Sequence, residues 1–307
     1  MTASSNFELV ALKNGVMSLR ALQPRETFHP GIGPVAEATL LHVQQQNLVK
    51  RCQLLCAQGE RECNLWDVGL GAGANALAAL RTFAAWDDSE VPGMPTDGGK
   101  FQITVHSFDK STEPLEFALQ NAQSLHYPLG FESQLRALLS HGLVEIFSNS
   151  FLQVNWQLHL GDFARNLDSQ VEGSLALSPP DSIFFDPYSP AGNPDMWSLQ
   201  LFTKLYGALS SQRPCLWTNY SRATPVRATL LLAGFFVGHG CSINEKDETT
   251  VASNSLNLID RPLTLEWLEK RVRVSHSAAV LRDGNYSIAP ISESDYAALL
   301  AHPQFRV

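Results

Sequence analysis

Residues 64–75 read NLWDVGLGAGAN, and this stretch decides the fold. A short apolar run reaches Asp67 and passes directly into Gly69, Gly71 and Gly73, a DxGxGxG pattern. Glycine lacks a Cβ, so the chain can turn sharply after a strand and let a ligand lie against bare peptide groups. The ANALAALRTF that follows contains no glycine or proline and reads as a helix. Strand, glycine turn and helix form the unit that opens a nucleotide-binding α/β sheet. The third glycine falls one residue earlier than in the dehydrogenase GxGxxG, which favours an S-adenosylmethionine (AdoMet) loop over a dinucleotide loop. On this stretch alone, a glycine turn that binds nothing stays open.

Working outward, strand-like and helical patterns alternate, as a parallel sheet with crossover helices requires. FQITVHSFD (101–109) reads as the second strand, and STEPLEFALQNAQ as its helix, with Pro114 near the first turn. Further strands are expected around WQLHLGD (156–162), DSIFFDPY (181–188) and CLWTNY (215–220). TPVRATLLLAG reads as a helix closed by Gly234. FFVGHGCSI and ETTVASNSL, either side of NEKD, read as a closing antiparallel hairpin. Upstream, FELVALKNGVMSLRAL holds two apolar segments around an Asn-Gly turn, a strong hairpin signal. A Gly/Pro loop then leads into a helix near Val35, and SEVPGMPTDGGK reads as a flexible loop.

Composition bounds the function. The chain has 307 residues and is 44% hydrophobic, enough for a globular α/β core. Its apolar run LLLAGFFVG (230–238) is about half a membrane span, and MTASSNFELVALKNG does not resemble a secretion signal. Five cysteines, an odd number, make no disulfide framework, and a reducing cytoplasm is expected. Cys52, Cys56 and Cys63 lack an identifiable fourth metal ligand; they read as small buried hydrophobes, with no metal site expected. A net charge of −8 argues against a general nucleic-acid coat, DNA included. Local basic surfaces remain open at Arg222 and Arg227 and at Lys270, Arg271 and Arg273, the latter equally readable as a solvated helix face.

Open α/β sheets bind ligands beyond the carboxyl ends of their strands, and three acids fall there. Asp67 leads the glycine loop, Asp109 is placed to accept ribose hydroxyls, and Asp162 is placed to accept from an adenine amino group. Carboxylates also suit a sulfonium cation. A second cluster, FFDPYSPAGNPDMW (184–197), delivers Asp186 at a strand end. Pro187 fixes the backbone there, and Tyr188 adds an aromatic face. Methyl transfer to an amine needs a neutral nitrogen lone pair aimed at the methyl and acceptors for the amine protons, which an acid beside an aromatic can provide. Asp186 and Tyr188 are therefore the candidate catalytic residues.

GLGAGAN, SFDK followed by Pro114 and Leu115, and FFDPYSPAGNPDMW together resemble the MnmC/MnmD methyltransferase domain family, which completes methylaminomethyl-2-thiouridine at the tRNA wobble position. The resemblance runs from about residue 25 to 277 and includes HPGIGPVAEA, PVRATLLLAGF and KDET. Its most specific parts are Asn75 and the SPxxNPxxW tail of Ser189, Pro190, Asn193, Pro194 and Trp197. Pro187 and Tyr188 stand where the family pattern has a glycine and an aromatic. The resemblance implies AdoMet bound at Gly69, Gly71, Gly73, Asn75, Asp109 and Asp162, with Asp186 accepting from the substrate amine.

The expected fold is a Rossmann-like class I AdoMet-dependent methyltransferase: a mostly parallel seven-stranded sheet, an antiparallel closing hairpin and a small N-terminal β-hairpin. The expected organisation is an entry element at 1–50, the methyltransferase domain at 51–280 and a C-terminal tail at 281–307. The expected activity is N-methylation of the aminomethyl group of a tRNA wobble uridine. No second glycine fingerprint follows residue 240, so a separate oxidase or modification enzyme is expected to supply the intermediate. Another amine substrate, or a noncatalytic AdoMet-binding or RNA-scaffold role, are the alternatives.

Overall fold

In the computed structural model, residues 5–86, 99–171, 177–244, 247–282, 286 and 288–306 are described. Most of SEVPGMPTDGGK, and part of the NEKD turn, therefore lie outside the described residues. The chain divides into two compact units, Met1–Phe163 with Ser182–Asp186, and Ala164–Asp181 with Pro187–Val307.

The first unit begins with an antiparallel sheet of β1 (Phe7–Ala11), β2 (Met17–Leu22) and β3 (Arg25–Thr27). Gly15, at φ 82°, makes the Asn-Gly turn, and Phe7 pairs with Ala21. The third strand was not expected: three largely polar residues carry no alternation that a sequence could display. A loop leads to α1 (Pro34–Ala38), whose first position is proline, where the missing N–H costs nothing. A π-helical turn (Thr39–Gln44) and α2 (Leu48–Ala57) follow.

The main sheet of this unit starts at β4 (Glu62–Val68), buried from Cys63 onward, as an inner parallel strand covered on both faces must be. Then come α3 (Ala74–Ala84), β5 (Phe101–Asp109), α4 (Glu113–Gln120), α5 (Ala122–Leu125), α6 (Glu132–His141), β6 (Leu143–Ser148), β7 (Leu152–Leu160) and β8 (Ser182–Phe185). Their order is β8-β4-β5-β7-β6, with β8, β4, β5 and β7 parallel and β6 antiparallel to β7. The strand order reverses at β4 and β8, the switch point where such sheets open a crevice at their carboxyl ends.

The second unit carries α7 (Phe163–Val171) from Ala164 onward, α8 (Leu199–Gly207), β9 (Leu216–Asn219), α9 (Thr224–Leu232), β10 (Phe236–Asn244), β11 (Asp247–Ser253), α10 (Leu265–Trp267) and α11 (Glu293–Leu300). β11 lies between β9 and β10, antiparallel to both, which is the expected closing hairpin. Gly234, at φ 107°, follows α9. The fold is the expected Rossmann-like α/β class. Five main-sheet strands in one unit and three in the other make one more than the seven expected. The unforeseen strand is β6, a partly exposed edge whose LVEIFS mixes apolar and polar residues. Cys52, Cys56, Cys63 and Cys215 are buried free thiols that pack as small apolar groups.

Candidate active site

The glycine loop leaves β4 through a left-handed backbone. Gly69, Gly71 and Gly73 have φ of 90°, 51° and 81°, a region costing a residue with a Cβ roughly 1–2 kcal/mol. The amides of Gly69 and Leu70 donate to the Phe108 carbonyl at 3.0 and 3.2 Å. A Cβ on Gly71 would lie 3.1 Å from Phe28 Cε2, and one on Gly73 only 2.8 Å from Leu115 Cδ1. At these two positions the missing side chain makes room for protein atoms, so the loop's glycines serve its own packing first.

Asp109, the last residue of β5, stitches this loop to its neighbour. Its Oδ2 accepts from the Gly71 amide at 2.8 Å, and Oδ1 accepts from the amides of Lys110 and Ser111 at 2.7 and 3.3 Å. Burial raises its pKa, and those amides oppose the rise. The Gly161 amide donates to the Asp109 carbonyl at 2.9 Å, which brings the loop after β7 alongside. Asp162 in that loop pairs with Lys110, Oδ2 to Nζ 3.0 Å, with both side chains partly exposed.

Asp67 lies within β4 and is fully buried. Its Oδ2 accepts from Ser107 Oγ at 2.7 Å, and that hydroxyl in turn accepts from Trp156 Nε1 at 2.9 Å, a chain across β4, β5 and β7. Asp67 Oδ1 is buried with no hydrogen-bond partner among the described residues. Burial pushes this carboxyl up to about 7; Ser107 opposes the rise and the charges of Asp186 and Asp109 add to it.

Asp186 follows β8, its amide donating to the Val68 carbonyl at 2.9 Å. Asn75, in the first turn of α3, donates from Nδ2 to Asp186 Oδ2 at 2.7 Å. The sequence placed Asn75 with the cofactor; the structure ties it to the carboxylate that ends β8. His29 Nε2 lies 3.8 Å from the same Oδ2, and His29 Nδ1 lies 3.9 Å from Glu37 Oε1. The side chains of His29, Glu37 and Asp186 are 10%, 9% and 15% exposed. Burial pushes Asp186 up to about 7, with the Asn75 hydrogen bond opposing and the Glu26 charge adding.

The residues before α2 hold this corner together. The His42 ring stacks on Phe184 at 4.6 Å, and Gln46 Nε2 donates to the Ile183 carbonyl at 3.1 Å. Sequence reasoning singled out neither His29 nor Glu37. One signal for Glu37 was present, a lone acid inside the apolar run PVAEATLL. His29 opens the HPGIGPVAEA stretch that carries the resemblance, but nothing in that stretch assigns it a role, because its φ of 47° is a property of the folded loop.

In the second unit, the backbone after Asp186 is anchored. Trp197 Nε1 donates to the Tyr188 carbonyl at 2.8 Å, and the Tyr220 hydroxyl donates to the Pro187 carbonyl at 3.1 Å. The two rings meet edge to face at 5.7 Å. The Asn193 amide donates to the Ser189 carbonyl at 2.8 Å, so SPAGNPDMW is a turn ending in a buried tryptophan anchor. Tyr188 itself is half-buried. Arg227, where a local basic surface was left open, is 2% exposed and bonds Glu248, Thr250 and the Thr249 carbonyl. Lys270 and Arg273 pair with Glu266 and Glu293 at 2.6 and 2.7 Å.

Residues 136–255 match the family model described as S-adenosyl-L-methionine-dependent methyltransferase. That match covers 120 of the 307 residues. The tRNA 5-methylaminomethyl-2-thiouridine biosynthesis bifunctional protein MnmC of Vibrio cholerae is 24% identical over 217 residues, covering 68% of this chain and 30% of that protein. The protein of the same name from Ectopseudomonas mendocina is 30% identical over 208 residues, covering 67% and 28%. The chain thus spans about 30% of the length of these curated relatives. Among solved structures, MNMC2 from Aquifex aeolicus has a TM-score of 0.65 at 22% identity, covering 97% of this chain and 86% of that one. That likeness shows the shared methyltransferase fold. Among the described residues, no helix is long and apolar enough to cross a membrane.

Proposed function

We propose that this chain is a cytoplasmic AdoMet-dependent N-methyltransferase that methylates the aminomethyl group of the wobble uridine in tRNA, on an intermediate supplied by a separate oxidase or modification enzyme. The carrying observation is the Asp186 carboxylate, held by Asn75 from the helix that the glycine loop opens. One hydrogen bond thereby joins the loop that would carry the cofactor to the acid that would receive the amine.

The residues fit AdoMet. The amides of Lys110 and Ser111 occupy Asp109 Oδ1 and the Gly71 amide takes one site on Oδ2, which leaves one acceptor site on Oδ2 for a ribose hydroxyl. Asp162 would accept from the adenine amino group, beside Lys110. Asp67 Oδ1, buried and without a hydrogen-bond partner among the described residues, is an acceptor beside the glycine loop. Bound there, AdoMet would supply an electrophilic sulfonium methyl. Among the described contacts, Asn75 and His29 both meet Asp186 Oδ2, which leaves Oδ1 for the substrate. An aliphatic amine is cationic in water and must lose a proton before its lone pair can attack. Asp186 attracts the ammonium, takes up its proton and aims the nitrogen, while Tyr188 offers an aromatic face beside it. The name of the relatives, which specifies methylaminomethyl-2-thiouridine in tRNA, supports the wobble uridine as acceptor.

A second reading, the same chemistry on a small-molecule or protein amine, draws on charge. The net charge is −8, and Arg227, Lys270 and Arg273 are engaged by carboxylates. Methyl transfer from labelled AdoMet to bulk tRNA tests the choice: label in tRNA supports the wobble reading, and label confined to small amines or proteins supports the second. Titration should show binding of AdoMet and none of NAD; the reverse would remove the methyltransferase reading altogether.

A further inference from the structure

His29 sits between two carboxylates, and no step above uses it. Its two ring nitrogens face different acids, Nε2 towards Asp186 Oδ2 at 3.8 Å and Nδ1 towards Glu37 Oε1 at 3.9 Å. Both gaps exceed hydrogen-bond length, so a ring movement of about 1 Å closes either one. All three side chains are largely buried, away from competing water. The residue is also held at φ 47°, a left-handed conformation uncommon outside glycine that places this ring where it is. Imidazole can accept a proton at one nitrogen while releasing one from the other.

We propose that His29 is a positioning residue that carries the substrate's proton from Asp186 to Glu37. The inference rests on the reading of Asp186 as the amine acceptor. The substrate ammonium gives one proton to the Asp186 carboxylate and becomes a neutral amine. Asp186 passes that proton to His29 Nε2 as the Nδ1 proton moves to Glu37. Asp186 is then again a carboxylate, His29 is neutral in its other tautomer, and Glu37 is a carboxylic acid. No electron changes hands.

The groups around the path favour it. Burial lowers His29, so the ring starts neutral and able to accept, while its burial raises Glu37 towards holding a proton. Other charges face the path from β3, where Glu26 raises Asp186, from β4, where the Asp186 charge raises Asp67, and from the π-helical turn, where His29 lowers His42; the Asp186 charge also raises Glu37 and the His29 charge lowers it.

His29→Asn is the first test, because asparagine tolerates the left-handed backbone; Glu37→Gln is the second, in case the first misfolds. Methyl transfer to tRNA from labelled AdoMet is followed between about pH 6 and pH 9.5. Both variants should lose about tenfold or more in kcat near pH 7, with KM and AdoMet affinity unchanged. The deficit should shrink as pH rises and more of the amine arrives already neutral. A pH-independent loss, or no loss, would overturn the relay. In the full chain without AdoMet, the His29 ring nitrogens followed by NMR should titrate at a different pH in Asp186→Asn and in Glu37→Gln. Identical titration in either variant also overturns it. Failure of the underlying reading looks different: Asp186→Asn would then run at the parent rate. If Asp186→Asn is inactive while His29→Asn matches the parent at every pH, only the relay falls.

Discussion

Asp186 has one oxygen engaged by Asn75, and the other is the one proposed to receive the substrate amine, which makes its role testable one atom at a time. Asp186→Asn keeps the shape and removes the charge. Turnover should fall about a hundredfold, the scale of a positioned acid or base, with the AdoMet dissociation constant within about twofold of the parent. Because burial holds the carboxyl at about 7, its ionised form grows as pH rises through neutrality. Parent turnover should therefore climb between about pH 6 and pH 8, and the residual rate of Asp186→Asn should lack that limb. Asn75→Ala removes the 2.7 Å hydrogen bond that opposes the rise in the Asp186 pKa. A hydrogen bond to a charged group is worth about 1.5–3 kcal/mol, so the limb should move up by about one to two pH units; an unmoved limb in the pH–rate profile would separate Asn75 from Asp186. Asp109→Ala takes away the acceptor proposed for the ribose and the partner of the Gly71 amide. Calorimetry should show AdoMet binding weakened at least about tenfold.

At the scale of elements, the glycine loop offers an internal comparison. Gly15 and Gly71 both have left-handed φ, 82° and 51°, but a Cβ on Gly15 meets nothing within 4 Å while one on Gly71 meets Phe28 at 3.1 Å. Gly15→Ala should cost about 1 kcal/mol, backbone strain alone, and Gly71→Ala distinctly more. In urea unfolding, Phe28→Ala should recover the excess at Gly71 but not the strain, and equal costs at the two glycines would show that Phe28 yields freely. What was legible in the sequence follows the same physics. β5 was read at its observed limits because nine residues of a covered strand form an unbroken pattern between punctuating residues. The positions of Asp109, Asp162 and Asp186 at or just past strand ends were legible because strand ends are legible. β3 and β6 were not, being short or partly exposed, with pairing set by neighbours far along the chain. His29 and Glu37 were missed for a related reason: their meeting with Asp186 joins residues about 150 positions apart through a loop whose φ no local pattern specifies. The burial of Arg227 was not legible because its partners lie on β11, some twenty residues later.

For the whole molecule, the site's buried acids and the buried histidines pull stability in opposite directions with pH. Asp67 stands at about 7 in the folded chain against 3.8 in the unfolded one. Between those values the unfolded chain sheds a proton that the native state keeps, so this group stabilises at acid pH and its contribution fades as pH rises to about 7. Asp186 acts in the same sense. His106 and His159, rings paired at 3.0 Å, are lowered to about 4, chiefly by burial. Between about 4 and 6.5 the unfolded chain binds protons that these rings refuse, so their contribution grows as pH rises. One pKa unit is worth 1.36 kcal/mol, so from pH 5 to pH 6.5 each group moves stability by about 2 kcal/mol, two acids downward and two histidines upward. These four groups should nearly cancel in the parent over that interval, with Asp109 and Glu37, which burial raises, adding to the downward pull and His29 and His42, which burial lowers, to the upward one. Asp67→Asn removes one downward pull, and its stability should rise by about 2 kcal/mol more than the parent's between pH 5 and pH 6.5. His159→Gln removes an upward pull, and its stability should tilt the other way by a similar amount. Urea unfolding of the three proteins at the two pH values measures both tilts. Tilts of the same sign would mean that the acids are already ionised in the free protein, and that the site is more open to water than its buried carboxylates indicate.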